Sequence, residues 1–371
     1  MSGSSFARFG VAVGHATDLA GATGLTVVRG VRGPLRAGVA VVGRASGSRE
    51  LLAAAPAHLV DRVDAVLLTG GSAYGLDSAA GVMQWMEERG QGFPVGDGVV
   101  PIVPAAVVFD LAPLGSFAAR PTPAMAYDAC EAASSVEIAE GSVGAGTGCT
   151  VGKALGPAGA MKGGVGVSIL EEHGVAVGAL AVVNSFGDVR GAGGEIVAGA
   201  RGADGRFADG AAQLAAGVVG GAGARFGEVA MRNTTLAVVV TEAVLGRVEL
   251  AQVAAAASAA LFRRITPAGT SYDGDVVFAL CAAPDAGGPP QVEDATIPAA
   301  SHHPPRAKRT EPVRAAATAP SFLQLEVLAV RALEAAIERA VLTARGREGV
   351  PGLADTSPEP DARRRGRDHD A

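Results

Sequence analysis

Aromatic residues are scarce in this 371-residue chain: one Trp, three Tyr and eleven Phe make up 4% of it. A core built on large rings is excluded, so Ala, Val and Leu must fill it. Charge is also sparse, at 18% of residues with a net of −6, which leaves no basic surface to neutralise phosphates and makes nucleic acid a poor partner. The three cysteines, Cys130, Cys149 and Cys281, form no C-x-x-C pair and leave one over in any disulfide scheme. That suits a reducing compartment, and a cytoplasmic location is expected. The N-terminal stretch MSGSSFARFG lacks the apolar core of a signal peptide, and no run of about 18 apolar residues could span a bilayer, so a soluble protein with no membrane partner is expected. The six histidines are scattered without the i, i+4 spacing that sets two ligands on one helical face, and no metal is expected.

What the chain has is small side chains: 53 glycines, and 49% hydrophobic residues. Short apolar β-rich runs alternate with Ala-rich stretches. Strands are predicted at 25–29, 38–42, 65–69, 165–170, 177–183, 236–241 and 276–280. Several are apolar throughout, which predicts α/β architecture with sheets covered on both faces. Helices are predicted at 75–89, 249–264 and 323–345, where apolar residues return every three or four positions, as Leu250, Val253, Ala257 and Leu261 do. These elements fit one domain over residues 1–345. A Pro-rich, aperiodic segment at 283–320 reads as a disordered insertion, and 346–371 as a disordered tail.

Several short motifs carry candidate chemistry. The Gly-rich GSVGAGTGCTVGKALG fails as a phosphate loop, because Thr147 stands where the first Walker glycine should be and Ala154 where Ser or Thr should follow. It fails as a dinucleotide loop too, with Cys149 in place of the third glycine, so no cofactor is expected and Lys153 is left to be explained. LLTGGSAYGLDSAAGV sets Thr69-Gly70-Gly71-Ser72 between a strand and a helix, where open N–H groups could receive an anion or carbonyl, or where Ser72 could simply cap the helix. In TSYDGDVVFAL, Asp273 and Asp275 stand two residues apart; an Asp-Gly turn explains one acid, while two side by side repel unless a cation or hydroxyls lie near. Asn184 ends the predicted strand of LAVVNSFGDV and could cap a turn or donate to a developing oxyanion. Asn233, Thr234 and Thr235 stand directly before the strand-forming run LAVVV.

In their order and spacing, GHATDLAGATGLTVV, LLTGGSAYGLDSAAGV, GAGTGCTVGK, LAVVNSFGDV, NTTLAVVVTEAVL and ITPAGTSYDGDVVFAL resemble the L-aminopeptidase/D-amidase/D-esterase hydrolases of the DmpA type. That family includes β-peptidyl aminopeptidases and endo-type hydrolases of 6-aminohexanoate oligomers. The resemblance implies a four-layer α/β/β/α sandwich of the N-terminal-nucleophile kind and a precursor that cuts itself before a Ser or Thr. Here the cut would fall between Asn233 and Thr234, giving fragments 1–233 and 234–371. It further implies Thr234 as nucleophile, Asn184 as oxyanion-hole amide, Lys153 beside the nucleophile, and Asp273 and Asp275 as the acids holding the Thr234 amine and Lys153. The candidate substrate-binding residues are Gly71, Ser72, Tyr74 and Phe109, the last standing where many relatives have a tyrosine. Substrates would be small peptides, amino-acid amides or esters, and the processed heterodimers would assemble as a homo-oligomer. Two other readings are an acyltransferase of the ornithine-acetyltransferase kind and an unprocessed, inactive binding protein.

Overall fold

A computed structural model describes residues 5–218, 233–283 and 321–355. The 283–320 insertion beyond Ala283, and the end of the 346–371 tail from residue 356, lie outside the described residues. Ten strands build the two main sheets. In chain order they are β1 (Val11–Asp18), β2 (Thr23–Gly30), β3 (Leu35–Val41), β4 (Ser48–Arg49), β5 (Ala65–Thr69), β6 (Ala105–Val107), β7 (Gly164–Glu172), β8 (Val175–Asn184), β9 (Thr234–Thr241) and β10 (Val276–Ala282). The first sheet has the order β1-β2-β5-β6-β4 and the second β7-β8-β9-β10-β3. Helices α1 (Ala79–Glu87) and α2 (Pro123–Glu131) lie on the first, and α3 (Arg247–Ala257), α4 (Ala259–Arg264) and α5 (Phe322–Leu342) on the second.

Side-chain alternation along the strands sorts the core into layers. On β9, Leu236, Val238 and Val240 join Val28, Val66 and Leu68 of the first sheet in an inter-sheet core. Ala237 and Val239 face the other way, against Leu250 of α3 and Leu333 of α5. Leu67 and Val27 of the first sheet likewise face Val82, Trp85 and Met86 of α1. This is the expected four-layer α/β/β/α sandwich, and the unbroken apolar strands follow from it, since both faces of each sheet are covered. Each buried Leu or Val contributes about 1.5–3 kcal/mol of transfer energy, enough to make the register of β9 costly to slip by one residue. Small residues let the layers approach closely: a Cβ added to Gly166 on β7 would lie 2.0 Å from the Ala336 carbonyl oxygen of α5.

Three details differ from the sequence-based expectations. The predicted 75–89 helix opens as a 3-10 turn over Ser72–Ser78 and becomes α-helical only at Ala79. The predicted 249–264 helix divides at Ser258, whose hydroxyl donates back to the Ala255 carbonyl. Residues 346–355, assigned to the tail, are held against the body: Lys162 N–H donates to Pro351 O, and Asp355 Oδ2 accepts from Gly346 and Gly352 N–H. Hydrogen bonds to the body at Pro351 and Ala354, together with the Asp355 carboxylate bracing the stretch from within, fix residues where periodicity gave no signal. The described residues contain no helix long and apolar enough to cross a membrane, and all three cysteines are buried and unpaired by disulfide.

Candidate active site

Thr234 opens β9, and antiparallel pairing sets it directly opposite Asn184, the last residue of β8. Both have the parity of the inter-sheet face, shared with Leu236 and Val238 on one strand and Leu180 and Val182 on the other. Neighbouring strands thus deliver a hydroxyl and an amide to the same end of one layer. Asn184 Oδ1 accepts from the Thr150 N–H at 3.0 Å and from Lys153 Nζ at 2.9 Å, and its Nδ2 donates to the Phe109 carbonyl at 2.9 Å. Two donors on one side and a carbonyl on the other fix which way the amide faces. Lys153 Nζ also donates to the Asn184 carbonyl at 3.0 Å. The lysine that the failed loop motifs left unexplained is thus partly buried against the amide.

The Thr234 hydroxyl donates to the carbonyl oxygen of the preceding residue, Asn233, at 2.6 Å. Asn233 and Asp273 form an isolated parallel bridge, so the segment Asp273-Gly274-Asp275 runs alongside the Asn233–Thr234 peptide bond. Backbone N–H groups of Val42 and Ala45, just beyond β3, hold that segment by its Asp275 and Asp273 carbonyls, each at 2.9 Å. The Asn233 side chain is buried, and neither its Oδ1 nor its Nδ2 has a partner among the described residues.

Both acids of the pair are buried. Burial raises the Asp273 carboxyl above its ordinary range, against the opposing pull of its Thr270 hydrogen bonds and the nearby Lys153 ammonium. Burial and then the Asp273 charge push Asp275 up to about 7. Repulsion between the acids therefore remains. The expectation that they hold the Thr234 amine meets a different arrangement in the intact chain: Asp275 Oδ1 accepts the N–H of Thr235 at 2.6 Å, one residue further along, and Asp273 Oδ2 accepts the Thr270 N–H at 2.8 Å.

The first sheet contributes the turn after β5. Gly71 is the N-cap of the 3-10 turn in the left-handed region (φ +78°), with Ser72 after it also left-handed (φ +53°). Of the two readings the sequence left open, capping by Ser72 is not what is seen, since no side chain caps this turn. Nor is the turn an open anion site. Gly71 N–H donates to Asp110 Oδ1 at 2.6 Å and Ser72 N–H to the Val108 carbonyl at 3.0 Å. Tyr74 is exposed, with the Arg120 guanidinium stacked 3.6 Å from its ring centroid. Phe109 is the link between this turn and the Thr234 region, because its carbonyl holds Asn184 while the adjacent Asp110 holds Gly71.

Two buried residues escaped the sequence reading. Asp110 also accepts from the Thr23 hydroxyl at 2.7 Å, and burial pushes it up to about 6. Lys162 is fully buried and donates to the carbonyls of Cys149 (2.7 Å), Gly163 (3.1 Å) and Gly146 (3.2 Å), with burial bringing it down to about 8. The Gly-rich loop thus turns carbonyls toward a cation, the reverse of a phosphate loop. The one sequence hint was a lysine flanked by apolar residues and glycines in GAMKGGVG.

The sequence profile of Peptidase family S58 matches residues 9–354. An uncharacterized aminopeptidase of Mycobacterium tuberculosis is 43% identical over 287 residues, covering 73% of this chain and 79% of that one. A 6-aminohexanoate-oligomer endohydrolase of Kocuria sp. is 29% identical over 286 residues, covering 73% and 72%. Among solved structures, the L-aminopeptidase D-Ala-esterase/amidase of Ochrobactrum anthropi, described as a variant of the Ntn hydrolase fold, superposes with a TM-score of 0.62. The match covers 94% of this chain and 91% of that one at 19% identity, and speaks for the fold.

Proposed function

The chain belongs to peptidase family S58, and on that premise we propose that it is a self-processing aminopeptidase or amidase whose nucleophile is Thr234. The observation that carries this reading is the Thr234 hydroxyl at 2.6 Å from the Asn233 carbonyl oxygen, at the head of β9 beside Asn184, Lys153 and the paired acids. A threonine hydroxyl needs a base within reach. In the intact chain the paired carboxylates flanking Gly274 supply it; burial raises both, and the Asp273 charge raises Asp275 further, which makes them stronger proton acceptors than ordinary acids.

The hydroxyl attacks the Asn233 carbonyl carbon, the Asn233–Thr234 C–N bond breaks, and the proton passes to the departing nitrogen. Water then resolves the ester, leaving fragments 1–233 and 234–371. The new α-amino group of Thr234, with an ordinary pKa of about 7.7–8.0, becomes the base for later turnovers, and Lys153 depresses it further. The same hydroxyl then takes the acyl group of a small amino-terminal amide, peptide or ester, with the Asn184 amide facing the oxyanion, and water releases the product. Gly71, Ser72, Tyr74 and Phe109 form the rim against which that substrate packs. Assembly of processed heterodimers into a homo-oligomer completes the reading.

The test is the state of the purified protein. It is expected to run as two fragments on a denaturing gel, with threonine at the N-terminus of the smaller, while Thr234→Ala stays whole. A wild-type chain that never splits, or a different new N-terminus, overturns the mechanism. Transfer of the acyl group to an amino acid, with none to water, would favour an acyltransferase.

A further inference from the structure

The segment between the two acids presents a backbone donor to the carbonyl that Thr234 would attack. Gly274 N–H donates to the Asn233 oxygen at 2.9 Å, on the same atom that the Thr234 hydroxyl reaches at 2.6 Å. A carbonyl holding two donors is polarised before any bond is made. Once the Thr234 hydroxyl has given up its proton and attacked the carbon, its own hydrogen bond is gone. The Gly274 N–H stays in place as negative charge collects on the oxygen.

Residue type at 274 follows from the same geometry. A Cβ added there would stand 2.7 Å from Thr234 Oγ, 2.9 Å from the Ala45 carbonyl and 3.1 Å from the Ser46 Cα. Any side chain would push the nucleophile from its position or spread the 45–46 backbone, so the hydroxyl and the donor fit together only at glycine. The donor is also rigid, because the carbonyls on either side, of Asp273 and Asp275, are both held by backbone N–H groups beyond β3. A fixed dipole aimed at the site of developing charge needs no reorganisation when the charge appears.

We infer that the Gly274 N–H is the oxyanion donor of the self-cleavage step, separate from the Asn184 amide that serves incoming substrates. The inference rests on Thr234 being the nucleophile. The bridge between Asn233 and Asp273 fixes the path of the scissile carbonyl in the intact chain, whereas the Asn184 Nδ2 is turned to the Phe109 carbonyl at 2.9 Å. In the step itself the Thr234 Oγ–C bond forms, the C–N bond breaks, and the hydroxyl proton ends on the Thr234 nitrogen. Water then adds to the ester, giving the Asn233 carboxylate and restoring the hydroxyl. The unpartnered Asn233 amide adds to the drive, since release of this residue frees a buried polar group that holds no hydrogen bond among the described residues.

Replacing glycine 274 by glycolic acid in cell-free translation turns the N–H into an ester oxygen without adding a side chain. The expected result is splitting slowed about 100-fold or more relative to wild type. Once split, the protein should hydrolyse an aminoacyl p-nitroanilide within about threefold of wild type per processed chain, as expected if Asn184 serves that step. Wild type splitting while the ester variant splits at an equal rate overturns the inference and leaves the nucleophile assignment standing. Wild type that stays whole fails that assignment itself. Equal losses in splitting and turnover would overturn the separation of the two donors. A second measurement stands if the ester variant does not fold. In whole Thr234→Ala protein, the Gly274 amide, one of four Asp-Gly amides selected by [15N]Gly/[13C]Asp labelling and identified by the loss of its signal on adding Asp273→Asn, should exchange slowly with solvent, and exchange at the rate of an open amide would overturn the assignment.

Discussion

Each main sheet ends in a buried acid site, and the two are solvated in opposite ways. On the first sheet, Asp110 is met by two donors, the Gly71 N–H and the Thr23 hydroxyl, and no second carboxylate lowers its comfort. On the second, Asp275 has the Thr235 N–H but also Asp273 two residues away, whose charge raises it further. Both are driven up mainly by burial, so a raised carboxyl alone does not mark chemistry. The difference lies in what stands beside it. Asp110 braces a turn, whereas Asp273 and Asp275 flank Gly274, whose N–H meets the carbonyl on which the Thr234 hydroxyl is poised.

The contrast can be broken most sharply by exchanging acid for amide at each site. Asp275→Asn should slow self-cleavage by about 100-fold or more, the range of a lost general base, and should remove the rise in splitting rate as pH passes about 7; timed gels across pH 5–9 read both. If Asp275→Asn splits at wild-type speed, the acid pair is only another brace. Asp110→Ala should act instead on stability, leaving the buried Gly71 N–H and Thr23 hydroxyl without their acceptor at a cost of about 1–3 kcal/mol, read by urea unfolding. Its effect on splitting should be far smaller than that of Asp275→Asn.

The smallest effect is in the pH dependence of stability. Asp110 is raised to about 6 in the folded chain, which therefore holds this proton more tightly than the unfolded chain does. Its stabilising contribution is complete below pH 4 and is lost as pH rises through about 6. His15, buried and brought down to about 4, has the opposite sign, with stability gained as pH rises from about 4 to about 6.5. The two nearly cancel in wild type. Thermal melting of Asp110→Asn should therefore show Tm climbing with pH over this interval more steeply than wild type, and parallel curves would refute the assignment.

Much of the frame was legible because strands covered on both faces read as continuous apolar runs, and all seven predicted strands lie within observed ones or overlap them closely. Strand β1 and helix α2 escaped prediction. VAVGHATD interrupts its apolar run with Gly14 and His15, and PAMAYDACE is short and weakly patterned, although Thr122 caps it at the Met125 N–H. Lys153, Asn184, Thr234, Asp273 and Asp275 were singled out through motif order, and the fold sets Lys153 on Asn184, Asn184 opposite Thr234 and the 273–275 segment along the Asn233–Thr234 bond. Lys162 and Asp110 were not found, because a buried lysine satisfied by three carbonyls differs from a surface lysine only in contacts made across the chain.

The sequence by itself determined that the sheets are covered on both faces, through unbroken apolar strands and small side chains, and placed a threonine just before a strand that packing holds in register. It also named the residues that would be chemically able. Only the tertiary structure decided that β8 and β9 pair so that Asn184 faces Thr234, and that the 273–275 segment lies along the Asn233–Thr234 bond. It also decided that Gly274 has space for an N–H and a hydroxyl but not for a methyl group. Those outcomes depend on distances of a few ångströms between segments tens to hundreds of residues apart. Local propensity cannot encode such distances, whereas close packing fixes them.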